Sequence, residues 1–444
     1  MKRWCGVLAL LLAAIALSAC ATPLKSQKPP EKWSTGFWLW GASGQPQPSA
    51  ETLDVLYVQV NSRAETWNQP SWSTYGELPG ELPAAREYWV VFRLESASAL
   101  DAAYAPSLAK AVARLTDEGD QRHITITGVQ LDVDSATRLL PKYAEYLAAL
   151  RKALPAPTQI SITGLLDWFR DGTAIASVIE QVDEFVPQFY DVTSDYRRAT
   201  AIAAKFDAAT WAPKFNRFGK RYRIGISTFG RAVFVPAGAP RTLFGDLTPM
   251  DVATRPGITA QAIRNAAGEI VVSYTATRNL TIEYNDVHPG DTFQFILATP
   301  EAVRAATNAA RKMGGFAAGV VFFRWPGTSE TLVMPPDEVL RAAGVLKSSA
   351  VLPSIETLDG HCVAVKCVDL FLTHADRYAS ARIAYGIHSS AALEYFLPDQ
   401  HAPIRLLGPS DLEVSIPAYA APASLFLGRA VSDAPVHFTV EARP

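Results

Sequence analysis

The sequence lacks the features that mark a nucleic-acid partner. It contains no run of basic residues and no ribbon of alternating aromatic and basic side chains. Its 41 Lys and Arg residues are nearly balanced by 43 Asp and Glu residues, which gives a net charge of −2. We therefore expect no nucleic-acid partner. The hydrophobic fraction of 49% supplies a large core, and 444 residues favour two domains.

Cysteine and histidine are also scarce, with four and seven residues. Five of the histidines lie beyond residue 360, and their spacing matches no metal motif: His361, His374, His388, His401 and His437. We interpret them as scattered surface and turn residues. The sequence thus predicts no metal centre and no cofactor.

The N-terminal segment has the pattern of a secretory signal. Lys2 and Arg3 precede a short apolar run, which ends in Leu-Ser-Ala-Cys at residues 17–20. This ending resembles a bacterial lipobox, and the resemblance implies cleavage after residue 19 and lipidation of Cys20. A plain signal peptide and a short membrane anchor are the alternatives.

The residues after Cys20 indicate where the chain is held. Ala21 in place of Asp resembles lipoproteins that are sorted to the outer membrane of Gram-negative bacteria. The prolines within 20–33 are typical of a tether. We therefore predict a signal peptide over 1–19, a lipidated tether over 20–33 and a lipid-anchored location in the cell envelope.

Eight near-continuous apolar runs follow, as is typical of buried parallel strands. They cover 36–40, 55–61, 88–95, 125–134, 159–168, 183–191, 222–230 and 319–325. Helical patterns lie between several of them, one over 139–154 behind a possible Ser135 cap and others beginning at Pro300 and Pro336. Eight strands alternating with helices favour an α/β fold of the (β/α)8 TIM-barrel type over 34–345, rather than an open sheet.

Two regions depart from this alternation. Short strand patterns and a Pro-Gly-Asp turn at 289–291 predict a β insertion between the seventh and eighth strands. From about residue 346 the strands become short and no long helix follows, which predicts a β-sandwich-like accessory domain over 346–444. In an exported protein a disulfide between Cys362 and Cys367 is the default, with reduced thiols or a metal pair as alternatives.

The fourth strand carries the strongest candidate site. Val129, Leu131 and Val133 alternate along 126–134 with Gln130, Asp132 and Asp134, so one face is aliphatic and the other presents two carboxyl groups. Active sites of such barrels lie at the C-terminal ends of the strands. The other strand ends would bring aromatic and polar side chains beside the carboxyl groups: Trp38, Trp40, Asn61, Arg93, Glu95, Asp167, Trp168, Gln188, Tyr190, Asp191 and Trp325. Aromatic rings beside carboxyl groups suit a polysaccharide or other glycan.

The octet 127–134 resembles the strand-four signature of family 18 glycoside hydrolases, Asp-Gly-x-Asp-x-Asp-x-Glu. In this alignment Asp132 is the inner aspartate, and Asp134 replaces the general-acid glutamate. Residues 187–191 resemble that family's Tyr-Asp strand ending, and Trp325 falls where the family has a tryptophan at the floor of the sugar subsite. The resemblance implies that the substrate's N-acetyl group is the nucleophile, with Tyr190 orienting it.

A resemblance over most of the barrel is to the domain of unknown function 3142 of bacterial lipoproteins. It is carried by residues 128–134, 161–168, 182–191 and 319–325. This family brings no known activity. The sequence therefore supports three hypotheses: a glycosidase acting on an envelope polysaccharide such as an amino-sugar polymer, a non-catalytic glycan-binding barrel, and a structural lipoprotein.

The acid itself can be assigned from electrostatics. Asp132 and Asp134 lie two residues apart on one face, so their charges raise one pKa, and burial raises it further. We predict that the more enclosed group holds a proton near neutral pH, and we assign that role to Asp134. The alternatives are that Asp134 only caps the following helix, that Arg93 and Glu95 form an inward ion pair, and that Trp38, Trp40 and Trp168 are core residues.

Overall fold

The structure is a computed structural model. It describes residues 27–40, 52–60, 76–94, 100–189, 206–236, 241–243, 247–264, 268–327, 330, 332–347, 352–363, 365–377, 379, 381–400, 402–422 and 424–443. No helix within these ranges is long and apolar enough to cross a membrane.

The first half of the chain alternates strands and helices. The strands are β1 Ser34–Leu39, β2 Leu53–Gln59, β3 Ala85–Leu94, β4 Ile126–Val133, β5 Gln159–Gly164, β6 Glu184–Pro187 and β7 Arg221–Ser227. The helices are α1 Ala105–Gln121, α2 Leu140–Ala153, α3 Ile175–Glu180 and α4 Ala208–Asn216, with 3-10 turns at Ala102–Tyr104, Thr137–Leu139 and Leu166–Phe169. Each strand is an apolar run with the branched or aromatic residues that fit a sheet.

A β insertion follows β7. It comprises β8 Arg231–Val235, β9 Arg241–Leu243, α5 Pro249–Ala253, β10 Ile258–Arg264, β11 Ile270–Ala276, β12 Leu280–Ile282, β13 Asn285–Val287 and β14 Thr292–Leu297. Five strands form an antiparallel sheet in the order β10-β11-β14-β8-β9, and β12 and β13 form a hairpin. The β insertion predicted between the seventh and eighth barrel strands is therefore present.

The last barrel elements are α6 Pro300–Arg311, β15 Ala317–Trp325 and α7 Pro336–Ala342. The Thr299 hydroxyl accepts from the backbone N–H of Ala302, so α6 begins at its proline as predicted. The parallel strands close in the order β1-β15-β7-β6-β5-β4-β3-β2. This closed eight-stranded barrel confirms the predicted fold class.

The alternation along β4 decides which side chains enter the barrel. Val129, Leu131 and Val133 are buried in the same cluster as Tyr143 and Leu147 of α2, between the strands and the helices. Each such side chain contributes about 1.5–3 kcal/mol on burial. Gln130 and Asp132 point the other way, into the barrel, and both are buried.

The helix cap predicted at Ser135 is wrong. Helix α2 begins at Leu140 behind the 3-10 turn Thr137–Leu139, and no side chain caps either of them. The Ser135 hydroxyl is buried with no hydrogen-bond partner among the described residues. Asp134 is therefore not a helix cap, since the residue before the 3-10 turn is Ala136.

The C-terminal part is entirely β. Its strands are β16 Ser354–Asp359, β17 Cys367–Thr373, β18 Ile383–Ser389, β19 Tyr395–Pro398, β20 Ile404–Gly408, β21 Asp411–Ile416, β22 Ser424–Val431 and β23 Phe438–Arg443. They form two four-stranded sheets, β16-β17-β22-β19 and β20-β21-β18-β23, whose inner faces share one hydrophobic cluster. A disulfide joins Cys362 to Cys367, with the Cα atoms 5.9 Å apart.

Candidate active site

The barrel interior is filled by layers of side chains, as in other closed barrels. At the N-terminal end, Glu184 of β6 is buried between Arg221 and Arg223 of β7, and the hydroxyl of Tyr57 donates to it. Burial raises the pKa of Glu184, but the two guanidinium groups outweigh it and hold that pKa below its ordinary value. This layer is a set of paired charges that closes the lower barrel.

The middle layer links this floor to the site. The indole N–H of Trp38 donates to Gln130 Oε1 at 2.7 Å, and Gln130 Nε2 donates to the Ser161 hydroxyl at 3.0 Å. Gly225 leaves room for the indole, since a Cβ there would lie 3.0 Å from its ring. Trp38 is buried. The prediction that it binds substrate is wrong, because it offers no surface to a ligand.

Two carboxyl groups and one guanidinium form the centre of the upper layer. Arg93 at the end of β3 donates to Asp132 Oδ2 at 3.1 Å through Nη1 and to Asp134 Oδ2 at 3.3 Å through Nη2. The Asp132 side chain is 3% exposed, that of Arg93 is 36% exposed and that of Asp134 is 46% exposed. One cation thus joins a buried acid to an acid in contact with solvent.

The buried acid is Asp132, and its environment favours the protonated form. Burial raises the pKa of Asp132 and the nearby charge of Asp134 raises it further, while Arg93 and the Thr163 hydroxyl oppose the shift. The assignment of the more enclosed acid to Asp134 is therefore wrong. Strand β4 ends at Val133, so Asp134 already lies outside the barrel wall, where solvent reaches it.

Two polar residues hold the other oxygen of Asp132. The Thr163 hydroxyl of β5 donates to Asp132 Oδ1 at 2.7 Å, and Gln188 Nε2 reaches the same oxygen at 3.4 Å. Gln188 was predicted at the site, whereas Thr163 was not. The alternation of β5 could have identified it, because Ser161 and Thr163 share the inward face with Gln130 and Asp132.

Aromatic rings lie beside the pair of acids. The Arg93 guanidinium carbon is 5.5 Å from the centre of the half-buried Trp40 ring. Phe323 of β15 packs edge-on against Trp40, with ring centres 5.5 Å apart, and against Phe229 at the same separation. Trp40 was among the residues predicted at the site, whereas Phe323 and Phe229 were not.

Two predicted aromatic residues lie elsewhere. Strand β5 ends at Gly164, and the following 3-10 turn carries Trp168 into the helix layer, where its indole donates to the Ser135 carbonyl at 3.0 Å. Trp325 is fully buried against Phe37, outside the barrel interior. The register of β15 against β1 shifts by one residue after Phe323, which turns Trp325 to the outer face. Neither tryptophan can bind substrate, so both predictions are wrong.

The remaining predicted residues divide into one exposed residue and four outside the described ranges. Asp167 is exposed in the turn after β5 and pairs with Arg170 at 2.5 Å, with no contact to Asp132 or Asp134 in the structure. Asn61, Glu95, Tyr190 and Asp191 lie outside the described residues, as does Cys20. Within the described ranges, no three His, Cys, Asp or Glu side chains are grouped so as to hold a metal ion.

Part of the barrel matches the model of a known sequence family. Residues 85–257, from β3 to the insertion, match the domain of unknown function 3142 (DUF3142), as the sequence resemblance predicted. No curated protein matches the chain.

Several solved structures are similar in fold. The spore cortex-lytic enzyme SleL of Bacillus cereus has 12% identity and a TM-score of 0.46, covering 71% of this chain and 75% of that chain. A chitinase of Bacillus thuringiensis has 10% identity and a TM-score of 0.44, with 92% and 100% covered. A glycoside hydrolase family 18 N-acetylglucosaminidase of Paenibacillus barengoltzii has 14% identity and a TM-score of 0.40, with 70% and 100% covered. Because all three TM-scores are below 0.5, we assign the barrel from the strand order of this chain and not from these similarities.

Proposed function

We propose that the protein is a lipid-anchored glycoside hydrolase of the bacterial cell envelope that cleaves a polysaccharide by acid catalysis from the end of β4. The observation that carries the proposal is the pair of unequal acids, buried Asp132 and solvent-accessible Asp134, at the C-terminal end of a closed barrel. Glycosidases require carboxyl groups in different environments beside the scissile bond. An amino-sugar polymer is the substrate class implied by the resemblance of residues 127–134 to family 18.

The two acids have separate roles in this proposal. Asp134, which solvent reaches, passes a proton to the glycosidic oxygen while the oxygen of the substrate's N-acetyl group attacks the anomeric carbon and the bond from that carbon to the glycosidic oxygen breaks. The leaving sugar departs as an alcohol, and water then attacks the cyclic intermediate and returns a proton to the site. Asp132, buried and held by Thr163 and Gln188, is the acid with the raised pKa and stores the proton that Asp134 passes on. Trp40 and Phe323 offer apolar ring surface for a sugar face. Tyr190 and Asp191, from the family resemblance, complete the proposed site.

The lipid anchor is part of the proposal and rests on the sequence alone. The basic residues, the short apolar run and the Leu-Ser-Ala-Cys ending support export and lipidation at Cys20. The Ala after Cys20 supports the outer membrane as the location.

Substitution of the exposed acid tests the chemistry. A panel of N-acetylated and unsubstituted glycan polymers and their chromogenic glycosides identifies the substrate, after which Asp134→Asn should lower kcat by about 10²–10⁴-fold. Glycan binding should survive because the amide keeps the shape of the side chain. Asp171→Asn is the control, because Asp171 is an exposed carboxylate that contacts only Arg217 among the ion pairs of the structure. Full activity of Asp134→Asn would contradict the assignment.

A second candidate is a barrel that binds glycan without cleaving it. The observation that favours it is that the Arg93 guanidinium contacts both carboxyl groups, and that Asp134 is one methylene shorter than the glutamate of the family signature. A displacement of about 1 Å can cost 10²-fold in rate. Glycan binding by the wild-type protein with no hydrolysis of any polymer in the panel would support this candidate and would exclude the first.

A further inference from the structure

The segment that follows the proposed lipid anchor is fixed to one end of the barrel. Gln27 donates from Nε2 to the carbonyl of Asp183 at 2.9 Å, just before β6, and its Oε1 accepts from the backbone N–H of Arg221 at 2.8 Å, at the start of β7. Its own N–H donates to the Gly219 carbonyl at 2.7 Å. All three contacts lie at the N-terminal ends of barrel strands, opposite the end that carries Asp132 and Asp134.

From Gln27 the chain crosses this N-terminal face to the start of β1. Gln27, Lys28, Pro30, Glu31 and Lys32 form part of the wall of a cavity of about 610 Å³ at the centre of the face. The rest of the wall comes from the beginnings of the strands, among them Ser34, Asp54, Glu87, Gln159, Arg221 and Ala318. Gln27 therefore lies on the N-terminal face of the barrel, at the beginnings of β6 and β7, and the chain that precedes it starts from that face.

The length of chain before Gln27 limits how the molecule can stand on a membrane. Six residues lie between Cys20 and Gln27, so seven steps from one Cα to the next join them, and seven fully extended steps span at most about 25 Å. A folded chain of 444 residues has a radius of gyration of about 22 Å, and the eight residues of β4 alone span about 26 Å. A segment of this length is thus too short to pass around the molecule and bring the other end of the barrel to the lipid.

The charge of this face suits a lipid surface. The exposed side chains of Lys28, Lys32 and Arg86 lie on it with the acids Glu31 and Asp54, which form ion pairs with them. Among all the residues that line the cavity, five cations stand against four acids, which leaves no net negative charge to repel anionic headgroups.

We infer that the N-terminal face of the barrel rests toward the lipid surface and that the mouth with Asp132 and Asp134 opens away from it. The inference rests on the proposed lipidation of Cys20 and goes beyond it, because lipidation alone fixes no orientation. This orientation determines which substrates can reach the mouth. Glycan chains that lie away from the anchoring membrane can enter it, whereas the lipid headgroups of that membrane cannot.

Energy transfer to labelled lipid tests the orientation in the full-length, membrane-extracted protein. A donor dye is attached at Glu31→Cys on the N-terminal face or at Arg170→Cys, an exposed position after β5 at the mouth. Cys362 and Cys367 are bonded to each other and do not react under non-reducing conditions. In vesicles that carry an acceptor on the lipid headgroup, we expect transfer from position 31 to be several-fold more efficient than from position 170.

Two controls separate the possible failures. A chain that begins at Ala21 lacks both the apolar run and Cys20, and it should show no transfer from either position. An insertion of about twenty Gly and Ser residues before Gln27 in the lipidated protein should make the two positions nearly equal, because a flexible chain of that length no longer limits rotation. A mass spectrum with no lipid on Cys20 would show that the anchor, and with it this inference, is wrong. Lipid on Cys20 together with equal or reversed transfer would refute the orientation alone.

Discussion

At the scale of the residue, Asp132 is held between two opposed influences. The barrel removes its carboxyl group from water and places Asp134 beside it, while Arg93 supplies a positive charge and Thr163 a hydrogen bond. The net result is a pKa above the ordinary value for aspartate. A raised pKa lets this acid keep its proton to a higher pH than an ordinary aspartate does, which is the direction that acid catalysis needs.

The raised pKa of Asp132 predicts a particular dependence of stability on pH. The folded protein binds the proton of Asp132 more tightly than the unfolded chain, so the free energy of unfolding should fall as pH rises above about 3.8, the ordinary value, toward the folded-state pKa. Asp132→Asn has no such proton. The difference in unfolding free energy between wild type and Asp132→Asn should therefore decrease with rising pH across this window and then level off.

Chemical denaturation at a series of pH values measures this difference. Groups such as Glu184, whose pKa is lowered, act in the opposite direction at acid pH but are common to both proteins and cancel. A difference that stays constant with pH would mean that the pKa of Asp132 is the same in the folded and the unfolded state, so that the barrel does not raise it.

At the scale of the element, the close packing of β4 against β5 requires glycine at position 128. A Cβ on Gly128 would lie 2.2 Å from the Gln159 carbonyl oxygen and 2.9 Å from the Trp89 ring. The carbonyl belongs to the neighbouring strand and cannot move without parting β4 from β5. Gly128→Ala should therefore lower the free energy of unfolding by on the order of 3 kcal/mol, the upper part of the usual range for overpacking.

Urea denaturation followed by circular dichroism provides the test, with Gly80→Ala as its matched control. Gly80 has no atom within 4 Å of the position of its Cβ, so that substitution should change stability by less than about 0.5 kcal/mol. Equal effects of the two substitutions would show that β4 and β5 are not held as closely as the structure has them.

The elements also show what a sequence can and cannot predict. Apolar runs predict the eight strands and the alternation along β4 predicts which acids face inward, because both follow from local chemistry. The errors arise where a neighbouring strand decides the outcome. Trp325 turns outward because β15 shifts register against β1, and Trp168 leaves the barrel because β5 ends four residues before it. Burial of Asp132 over Asp134 depends on where the barrel wall ends, which one strand alone does not reveal.

At the scale of the whole molecule, the β insertion and the C-terminal sheets pack into each other. Met250 of α5 in the insertion is buried in the same hydrophobic cluster as Leu370 and Tyr385 of the C-terminal sheets. In return, Tyr419 from the C-terminal part packs against the cluster of the insertion, and its carbonyl accepts from the Tyr274 hydroxyl at 3.5 Å. The barrel thus holds the C-terminal sheets through the insertion.

This packing predicts that a substitution in the insertion weakens strands more than 100 residues further along the chain. Met250→Ala should destabilise the C-terminal sheets by about 2–5 kcal/mol, the usual cost of emptying a buried methionine site. Hydrogen exchange read by mass spectrometry should then be faster in peptides from β17 and β21 and unchanged in peptides from β4.

Met313→Ala is the matched control, because Met313 is equally buried but lies in the cluster of the barrel. It should accelerate exchange in β7 and β15, on which α6 packs, and leave β17 and β21 unaffected. Unchanged exchange of β17 and β21 in Met250→Ala would show that the C-terminal sheets are stable without the insertion, and that the interface at Met250 does not couple the two.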